Sequence, residues 1–268
     1  MNRSLVALAL AGFSFVTVAA RPIPAPDDDR DAAPDDSNLT SVIYGTSGPD
    51  VLMGTLVDDT INGRADADVM IGLTGNDTYI VDNVDDEVVE EPGAGTDTVR
   101  SSRNYFLPSN VENLVLTGSR SVYGAGNVLS NRIIGNGGSN RLSGGAGNDT
   151  MRGGGGFDTF WFSSALDGLT NVDRLPDFNV AEDRIMLHAG AFRAFLGLGS
   201  IAGLPPSYFH IGATATSASH HILYDPTTGA LRYDGDGTGA MAAVRFAKLP
   251  TGLALTAGHF LVRSTAVP

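Results

Sequence analysis

Residues 45–80 read GTSGPDVLM GTLVDDTIN GRADADVMI GLTGNDTYI, which is one nine-residue repeat written four times in register. Residues 126–161 return to the same phase as GNVLSNRII GNGGSNRLS GGAGNDTMR GGGGFDTFW. In every copy a glycine comes first, an aspartate or asparagine sixth, and a large apolar residue eighth. Such a period indicates a solenoid, in which each repeat buries its apolar residue by stacking on its neighbours.

Each repeat divides into a turn and a short strand. The first six residues are mostly glycine and polar residues, and glycine reaches positive φ angles that other residues adopt only with strain. The last three place one apolar side chain between two that point to the opposite face, which is the period of a β-strand. Two repeats therefore close one coil of 18 residues, and the coils stack as parallel strands. The residues predicted to point inward are Leu52, Ile61, Met70, Tyr79, Ile133, Leu142, Met151 and Phe160.

Stacking by 18 residues brings the sixth-position residues together in pairs. The pairs are Asp50 with Asp68, Asp59 with Asp77, Asn131 with Asp149, and Asn140 with Asp158. Facing carboxylates repel each other unless a cation compensates them. Ca²⁺ accepts roughly six to eight oxygens in flexible geometry, whereas Mg²⁺ requires a strict octahedron and sheds water reluctantly. We therefore predict calcium sites at these pairs.

The glycines of the turns leave their carbonyl oxygens uncovered, so they are candidate ligands beside the acids. The predicted metal-site residues are Asp50, Asp59, Asp68, Asp77, Asn131, Asn140, Asp149, Asp158, Gly45, Gly54, Gly63, Gly72, Gly135, Gly144, Gly147, Gly153 and Gly156.

The copies are unequal. Three of them lack the fourth-position glycine, which is replaced by Val57, Asp66 and Leu129. Asn131 and Asn140 carry no formal charge; asparagine still offers an oxygen, with weaker attraction for a cation. Because asparagine is also a favoured turn residue, a plain turn stays open as the alternative at these two positions. We expect the half-sites from Asp59 to Asp77 and from Asp149 to Asp158 to be the best formed.

The pattern resembles the repeats-in-toxin (RTX) family of secreted bacterial proteins, whose nonapeptide G-G-x-G-x-D-x-U-x builds a calcium-bound parallel β-roll. The resemblance implies an all-β fold, a parallel β-roll or β-solenoid, with Ca²⁺ as the cofactor. Residues 173–179 and 183–187 are similar to the closing module of serralysin-type C-terminal domains. A C-terminal β-rich capping module is therefore expected after the repeats, because solenoids need their ends covered.

Four segments follow from these features. Residues 1–20 are expected to be a signal peptide, since Arg3 precedes a largely apolar stretch that ends in small residues before Ala20. A membrane-spanning helix is the alternative, but it needs about 20 clean apolar residues. Residues 21–40 are rich in proline and aspartate and predict a disordered acidic linker. Residues 41–162 are expected to form the β-roll with its spacer coils, and 163–268 the capping module.

The stretch between the arrays, residues 81–125, keeps a looser rhythm of apolar runs and is expected to continue the solenoid with wider coils. It contains a group of acids that could form either outer cation sites or a solvated face. These acids are Asp82, Asp85, Asp86, Glu87, Glu90 and Glu91.

Composition excludes several classes of protein. A net charge of -13 and no cysteine argue against a nucleic-acid binder, which needs a basic surface, and against a disulfide scaffold. None of the five histidines belongs to an H-E-x-x-H zinc motif, and there is no G-x-S-x-G nucleophile turn. Too few residues separate the expected cleavage point from Gly45 to form a catalytic domain. The sequence therefore predicts no enzyme activity.

We predict a secreted, extracellular calcium-binding protein whose folding is coupled to calcium. The partners implied are calcium ions and, by the resemblance, a type I secretion apparatus, with neither nucleic acid nor stable membrane insertion. RTX proteins usually leave the cell on a C-terminal signal, so the route of export stays open. Two alternatives also stay open: a calcium-stabilised cell-surface or matrix interaction protein, and an accessory relative of a serralysin-type metalloprotease.

Overall fold

The computed structural model describes residues 14–17, 40–198 and 201–264, with 14–17 and Ile201 described by their backbone alone. Apart from the short strand at 14–17, the expected signal peptide lies outside the described residues, and so does the expected linker except Thr40. In the described part of the chain no helix has the length and apolar character needed to cross a bilayer. The fold is all-β, and its parallel strands form a solenoid of about seven turns, which confirms the predicted fold class.

The chain divides into two compact units, residues 1–95 and residues 96–268. The strands described in the first unit are β1 (Ser14–Thr17), β2 (Ser41–Tyr44), β3 (Asp50–Met53), β4 (Asp59–Asn62), β5 (Val69–Ile71), β6 (Thr78–Val81) and β7 (Glu87–Val89).

The second unit contains the remaining strands and three short 3-10 helices. Its strands are β8 (Thr98–Ser101), β9 (Tyr105–Phe106), β10 (Asn113–Leu116), β11 (Tyr123–Ala125), β12 (Arg132–Ile134), β13 (Arg141–Ser143), β14 (Thr150–Arg152), β15 (Thr159–Phe162), β16 (Asp173–Arg174), β17 (Arg184–His188), β18 (Ile201–Gly203), β19 (Phe209–Ile211), β20 (Ile222–Asp225), β21 (Ala230–Tyr233), β22 (Val244–Lys248) and β23 (Phe260–Arg263). Its 3-10 helices are η1 (Arg193–Phe195), η2 (Pro206–Tyr208) and η3 (Ala257–His259).

The first unit stacks its strands in two parallel sheets. One has the order β1-β3-β5-β7, and the other runs β2-β4-β6. Leu52 lies opposite Met70, and Ile61 opposite Tyr79. Each of these partners is 18 residues away in the chain, so the predicted coil length is confirmed in this unit.

The second unit stacks its own strands in the same way. Strands β8, β10, β12, β14, β16 and β22 form one parallel ladder, and β9, β11, β13, β15, β17 and β23 form the other. Ile133 pairs with Met151, and Leu142 with Phe160, again 18 residues apart.

The eighth-position residues form the core of both ladders. All eight of them are 0 % exposed. Strand geometry explains this result, because the one apolar residue of each three-residue strand points away from its two outward neighbours. The predicted inward ladder is confirmed.

The spacer region is only partly as expected. Its strands pair in parallel inside each unit: β7 with β5 in the first, and β10 with β8 and β12 in the second. Its coils are irregular rather than uniformly wider, since Asn113 lies opposite Thr98, fifteen residues earlier, and opposite Arg132, nineteen residues later. The expectation of wider coils is therefore wrong for the coil that begins at Thr98.

After the second array, parallel stacking persists before the chain changes direction. Thr150 pairs with Arg174 and Phe160 with Ile185, so β16 and β17 add a further parallel coil. Farther along, β20 and β21 pair antiparallel across the turn at residues 226–229. The segment from residue 163 thus adds parallel strands to both ladders, and it also contains antiparallel pairs, β18 with β23 and β21 with both β20 and β22.

Candidate metal centre

In each array the sixth-position residues form two columns. A column is the set of sixth-position residues that stack on one another from coil to coil, and all of its members are almost completely buried. Their exposed fractions lie between 0 and 3 %: Asp50, Asp59, Asp68, Asp77, Asn131, Asn140, Asp149 and Asp158. Burying ionised carboxylates is costly unless they are hydrogen-bonded or bind a cation. The turns therefore contain partners for these groups.

One oxygen of each acid in the later coil accepts a main-chain hydrogen bond from the earlier coil. The N–H of Asp50 donates to Oδ1 of Asp68 at 2.9 Å, and the N–H of Asp59 to Oδ1 of Asp77 at 2.7 Å. The second array repeats this bond, at 2.7 Å in both columns, from Asn131 to Asp149 and from Asn140 to Asp158. All four pairs predicted from the 18-residue spacing are thus brought together.

Several of these carboxylates keep an oxygen that no hydrogen bond satisfies. Oδ1 of Asp50, Oδ2 of Asp68 and Oδ2 of Asp158 are buried and accept no hydrogen bond. A buried anionic oxygen in this condition is strongly unfavourable. A hard divalent cation is the ligand that removes this penalty.

The opening glycines create the space beside these oxygens. A Cβ atom on Gly45 would lie 2.5 Å from the carbonyl oxygen of Gly63 and 2.7 Å from Oδ2 of Asp50. The same arrangement recurs at Gly54, which faces Gly72 and Asp59, and at Gly135, which faces Gly153 and Asn140. At Gly63, Gly72, Gly144 and Gly153 the nearest carboxylate oxygen belongs to the aspartate of the same turn. Carboxylate and carbonyl oxygens thus converge on positions that only glycine leaves open, and this donor set fits Ca²⁺.

Two of the fourth-position glycines, Gly147 and Gly156, also meet a requirement of the backbone. Gly147 and Gly156 have φ angles of 110° and 101°, which are left-handed values that favour glycine. A Cβ atom on Gly156 would lie 2.9 Å from the carbonyl of Gly138 in the preceding coil. These two glycines therefore allow adjacent turns to approach closely.

Burial shifts the proton affinity of the acids. Loss of solvent raises the pKa of Asp68 from 3.8 to about 6, with a smaller contribution from nearby carboxylates. Burial likewise raises the pKa of Asp149 and of Asp158 to about 6. Asp173, buried beside Asp149, has its pKa raised to about 8 by desolvation and by the charge of that neighbour. Without a cation, keeping the carboxylates of the columns ionised lowers the stability of the folded chain.

The columns extend beyond the repeats to residues that the repeat pattern did not identify. Asp86 accepts a hydrogen bond from the N–H of Asp68 at 3.1 Å, and Asp173 accepts one from Asp149 at 3.1 Å. Asp183 does the same for Asp158, also at 3.1 Å. Only Asp86 keeps the 18-residue phase, so only this residue could have been found by extending the repeat.

Five of the six spacer acids divide into two groups, and the sixth, Asp82, is half-buried. Asp85, Glu87 and Glu91 are exposed, as expected for a solvated face. Asp86 and Glu90 are buried, with exposed fractions of 7 % and 8 %. Glu90 follows Gly72 by 18 residues, and its carboxylate accepts a hydrogen bond from the Tyr79 hydroxyl beside that glycine.

The expected half-site from Asp149 to Asp158 is not a single pair. Asp149 directly precedes β14 and stacks with Asn131 and Asp173, whereas Asp158 directly precedes β15 on the other sheet and stacks with Asn140. Residues nine apart fall on opposite sheets because one repeat is half a coil. Asp59 and Asp77 do share a column.

Comparison with known proteins identifies the repeats themselves. Residues 44–79 and 125–160 match the family described as RTX calcium-binding nonapeptide repeat (4 copies). This chain carries RTX repeats. The matched residues coincide with the two arrays whose turns contain the buried carboxylates. The RTX repeats thus assign calcium as the ligand class of the columns.

Two curated proteins share part of this sequence. The endo-1,3-1,4-beta-glycanase EglC of Rhizobium meliloti (strain 1021) is 41 % identical over 90 residues, which is 33 % of this chain and 19 % of the relative. The endo-1,3-1,4-beta-glycanase ExsH of the same organism is 39 % identical over 93 residues, which is 34 % of this chain and 20 % of the relative. The chain spans about a fifth of the length of these relatives.

Proposed function

We propose that this chain is a secreted, non-catalytic calcium-binding RTX protein whose folding is coupled to extracellular calcium. Calcium binding itself rests on the RTX repeats. Secretion, absence of catalysis and coupling to folding are the parts that we add.

The observation that carries the proposal is the set of buried carboxylate oxygens without hydrogen bonds, at Asp50, Asp68 and Asp158. In the absence of a cation these oxygens oppose folding, and the chain also carries a net charge of -13. A cation that binds the folded chain and not the unfolded chain stabilises it by mass action. Extracellular calcium modules typically bind in the range of about 10⁻⁴ to 10⁻³ M, so folding would follow export into calcium.

The absence of catalysis is proposed from the residue types in the chain. The histidines do not form a zinc motif, and there is no G-x-S-x-G turn. Turnover of casein or of a 1,3-1,4-β-glucan by the purified protein would contradict this part of the proposal.

Circular dichroism during a calcium titration tests the coupling. After treatment with EGTA, the β signal and the melting temperature are expected to rise with calcium and to respond far less to magnesium. A melting temperature that is the same with EGTA and with millimolar calcium would refute the coupling.

A second candidate is a calcium-stabilised cell-surface or matrix interaction protein. The relatives favour a polysaccharide as the partner class, because the shared region belongs to proteins named as endo-1,3-1,4-beta-glycanases. Sedimentation with insoluble 1,3-1,4-β-glucan, with and without calcium, tests it. Binding that needs calcium would favour this candidate over a stand-alone calcium protein.

A further inference from the structure

The contact between the spacer and the first coil of the second array differs from all the contacts between acidic turns. In that coil the sixth position is asparagine in both repeats, and the second position is also asparagine, at Asn127 and Asn136. In the next coil the second position is glycine and the sixth is aspartate. We call the contact between residues 108–122 and 127–140 the seam. On the array side of the seam, neutral amides therefore stand where the next coil has glycine and aspartate.

The second-position amides bridge directly to the spacer. Nδ2 of Asn127 donates to the carbonyl oxygens of Pro108 at 2.7 Å and Val111 at 2.8 Å. Nine residues later Nδ2 of Asn136 donates to the carbonyls of Thr117 and Arg120, both at 3.0 Å. The two bridges have the same spacing in the chain, so the seam repeats itself with the period of the array.

The orientation of these amides is set by the hydrogen bonds that their oxygens accept. Oδ1 of Asn127 accepts the N–H of Leu129, and Oδ1 of Asn136 accepts the N–H of Gly138, each at 2.8 Å. An amide has one acceptor oxygen and one donor nitrogen. With the oxygen engaged by a main-chain N–H, the nitrogen must face the spacer carbonyls.

The sixth-position asparagine of the fifth repeat, Asn131, also bonds to the spacer through its amide nitrogen. Nδ2 of Asn131 donates to the carbonyls of Val111 at 3.0 Å and Glu112 at 3.2 Å, and its Oδ1 accepts the N–H of Asn127 at 2.8 Å. In the next coil, Asp149 directs an oxygen toward the coil before it, where it meets the N–H of Asn131. Asparagine thus places a donor where aspartate places an anionic oxygen.

We infer that this seam is held by asparagine hydrogen bonds in place of calcium, so that within the second array calcium binds only the turns beyond it. The inference rests on the proposed function, since it assigns which coil contacts take the ion. Carbonyl oxygens already bonded to N–H groups are poor ligands for a cation, and a neutral amide adds no charge to attract one. The seam ties the spacer to the array without an ion.

Anomalous diffraction from wild-type crystals grown in calcium tests the inference directly. Calcium peaks are expected beside Asp149 and Asp158, and no peak between residues 108–112 and 127–131. A peak within coordination distance of Asn131 and the carbonyl of Val111 would overturn the inference. The complete absence of calcium peaks would instead refute the proposed calcium function.

Calcium counting by native mass spectrometry provides a second test. The double substitution Asn127→Gly with Asn131→Asp gives the fifth repeat the second and sixth residues of the seventh repeat, Gly145 and Asp149. It is expected to bind one more calcium per chain than the wild type, whereas Asp149→Asn in the same column is expected to bind one fewer. An unchanged count for the double variant, with the loss at Asp149→Asn intact, would overturn the inference alone.

Discussion

The main-chain N–H of Asp50 donates a hydrogen bond of 2.9 Å to Oδ1 of Asp68, while Oδ2 of Asp68 is buried without a hydrogen bond. One carboxylate thus has two roles in two coils. Its first oxygen ties the backbone of the earlier coil to the later one, and its second is left for a ligand. The Asp68 side chain therefore contributes both to the column and to the candidate metal site.

Replacing Asp68 with asparagine is expected to have opposite effects with and without calcium. With EGTA the melting temperature stays the same or rises, because a buried charge is removed. With calcium the affinity falls by about tenfold or more, which is about 1.4 kcal/mol, because an anionic ligand is lost. Thermal unfolding across a calcium series measures both effects.

Asp85→Asn is the matched control for this charge change. Asp85 is exposed, so the substitution alters net charge without touching a column. The prediction fails if Asp68→Asn and Asp85→Asn shift the calcium response equally.

Substituting Gly45 with alanine is expected to destabilise the first coil by about 1–3 kcal/mol, the usual cost of overpacking. The new Cβ would lie 2.5 Å from the carbonyl of Gly63, which is backbone and cannot move freely. Gly48→Ala, in the same turn, would meet no atom within 4 Å and should change the unfolding free energy by less than about 0.5 kcal/mol. Denaturant unfolding of both variants in calcium checks the difference.

Stability without calcium is expected to decline as the pH rises from about 4 to above 6. Asp68, Asp149 and Asp158 have a folded pKa of about 6, above the ordinary value of 3.8, so the folded chain binds more protons in this window. The protonated groups stabilise the folded chain fully at pH values below the unfolded pKa. This contribution is lost as the pH rises through the folded pKa. Asp173, with a pKa of about 8, extends the decline upward.

Melting temperatures in EGTA between pH 4.5 and 8 measure this dependence. Calcium competes with the protons, so its affinity should rise over the same range. A melting temperature in EGTA that increases with pH would contradict the raised pKa values of these aspartates.

Truncating the apolar ladder is expected to cost about 2–5 kcal/mol per large residue. Ile61 is 0 % exposed, so Ile61→Ala leaves a cavity between two coils. Leu56 is 71 % exposed, and Leu56→Ala should be close to neutral. Equal unfolding free energies for the two variants would show that the ladder does not support the coil.

The repeat predicted the local geometry of the arrays well. The 18-residue coil, the inward eighth position and the four column pairs are all present because they depend only on the strand period and the turn residues. The same logic could have found Asp86, which keeps the phase.

Other members of the columns depend on coils of irregular length. Asp173 follows Asp149 by 24 residues, and Asp183 follows Asp158 by 25. No fixed period connects these residues, so they become neighbours only through the path that the chain takes between strands.

By itself the sequence determined the repeat, the coil and the calcium-type ligands, since period and residue chemistry are properties of the chain read in order. Tertiary structure decided which acids continue each column and how the Asn131 and Asn140 turns are satisfied. The reason is that an amide can present either an oxygen or a nitrogen to its neighbour. At Asn131 the choice is made by two neighbours in the folded chain: the N–H of Asn127 bonds to Oδ1, and the Val111 carbonyl lies 3.0 Å from Nδ2.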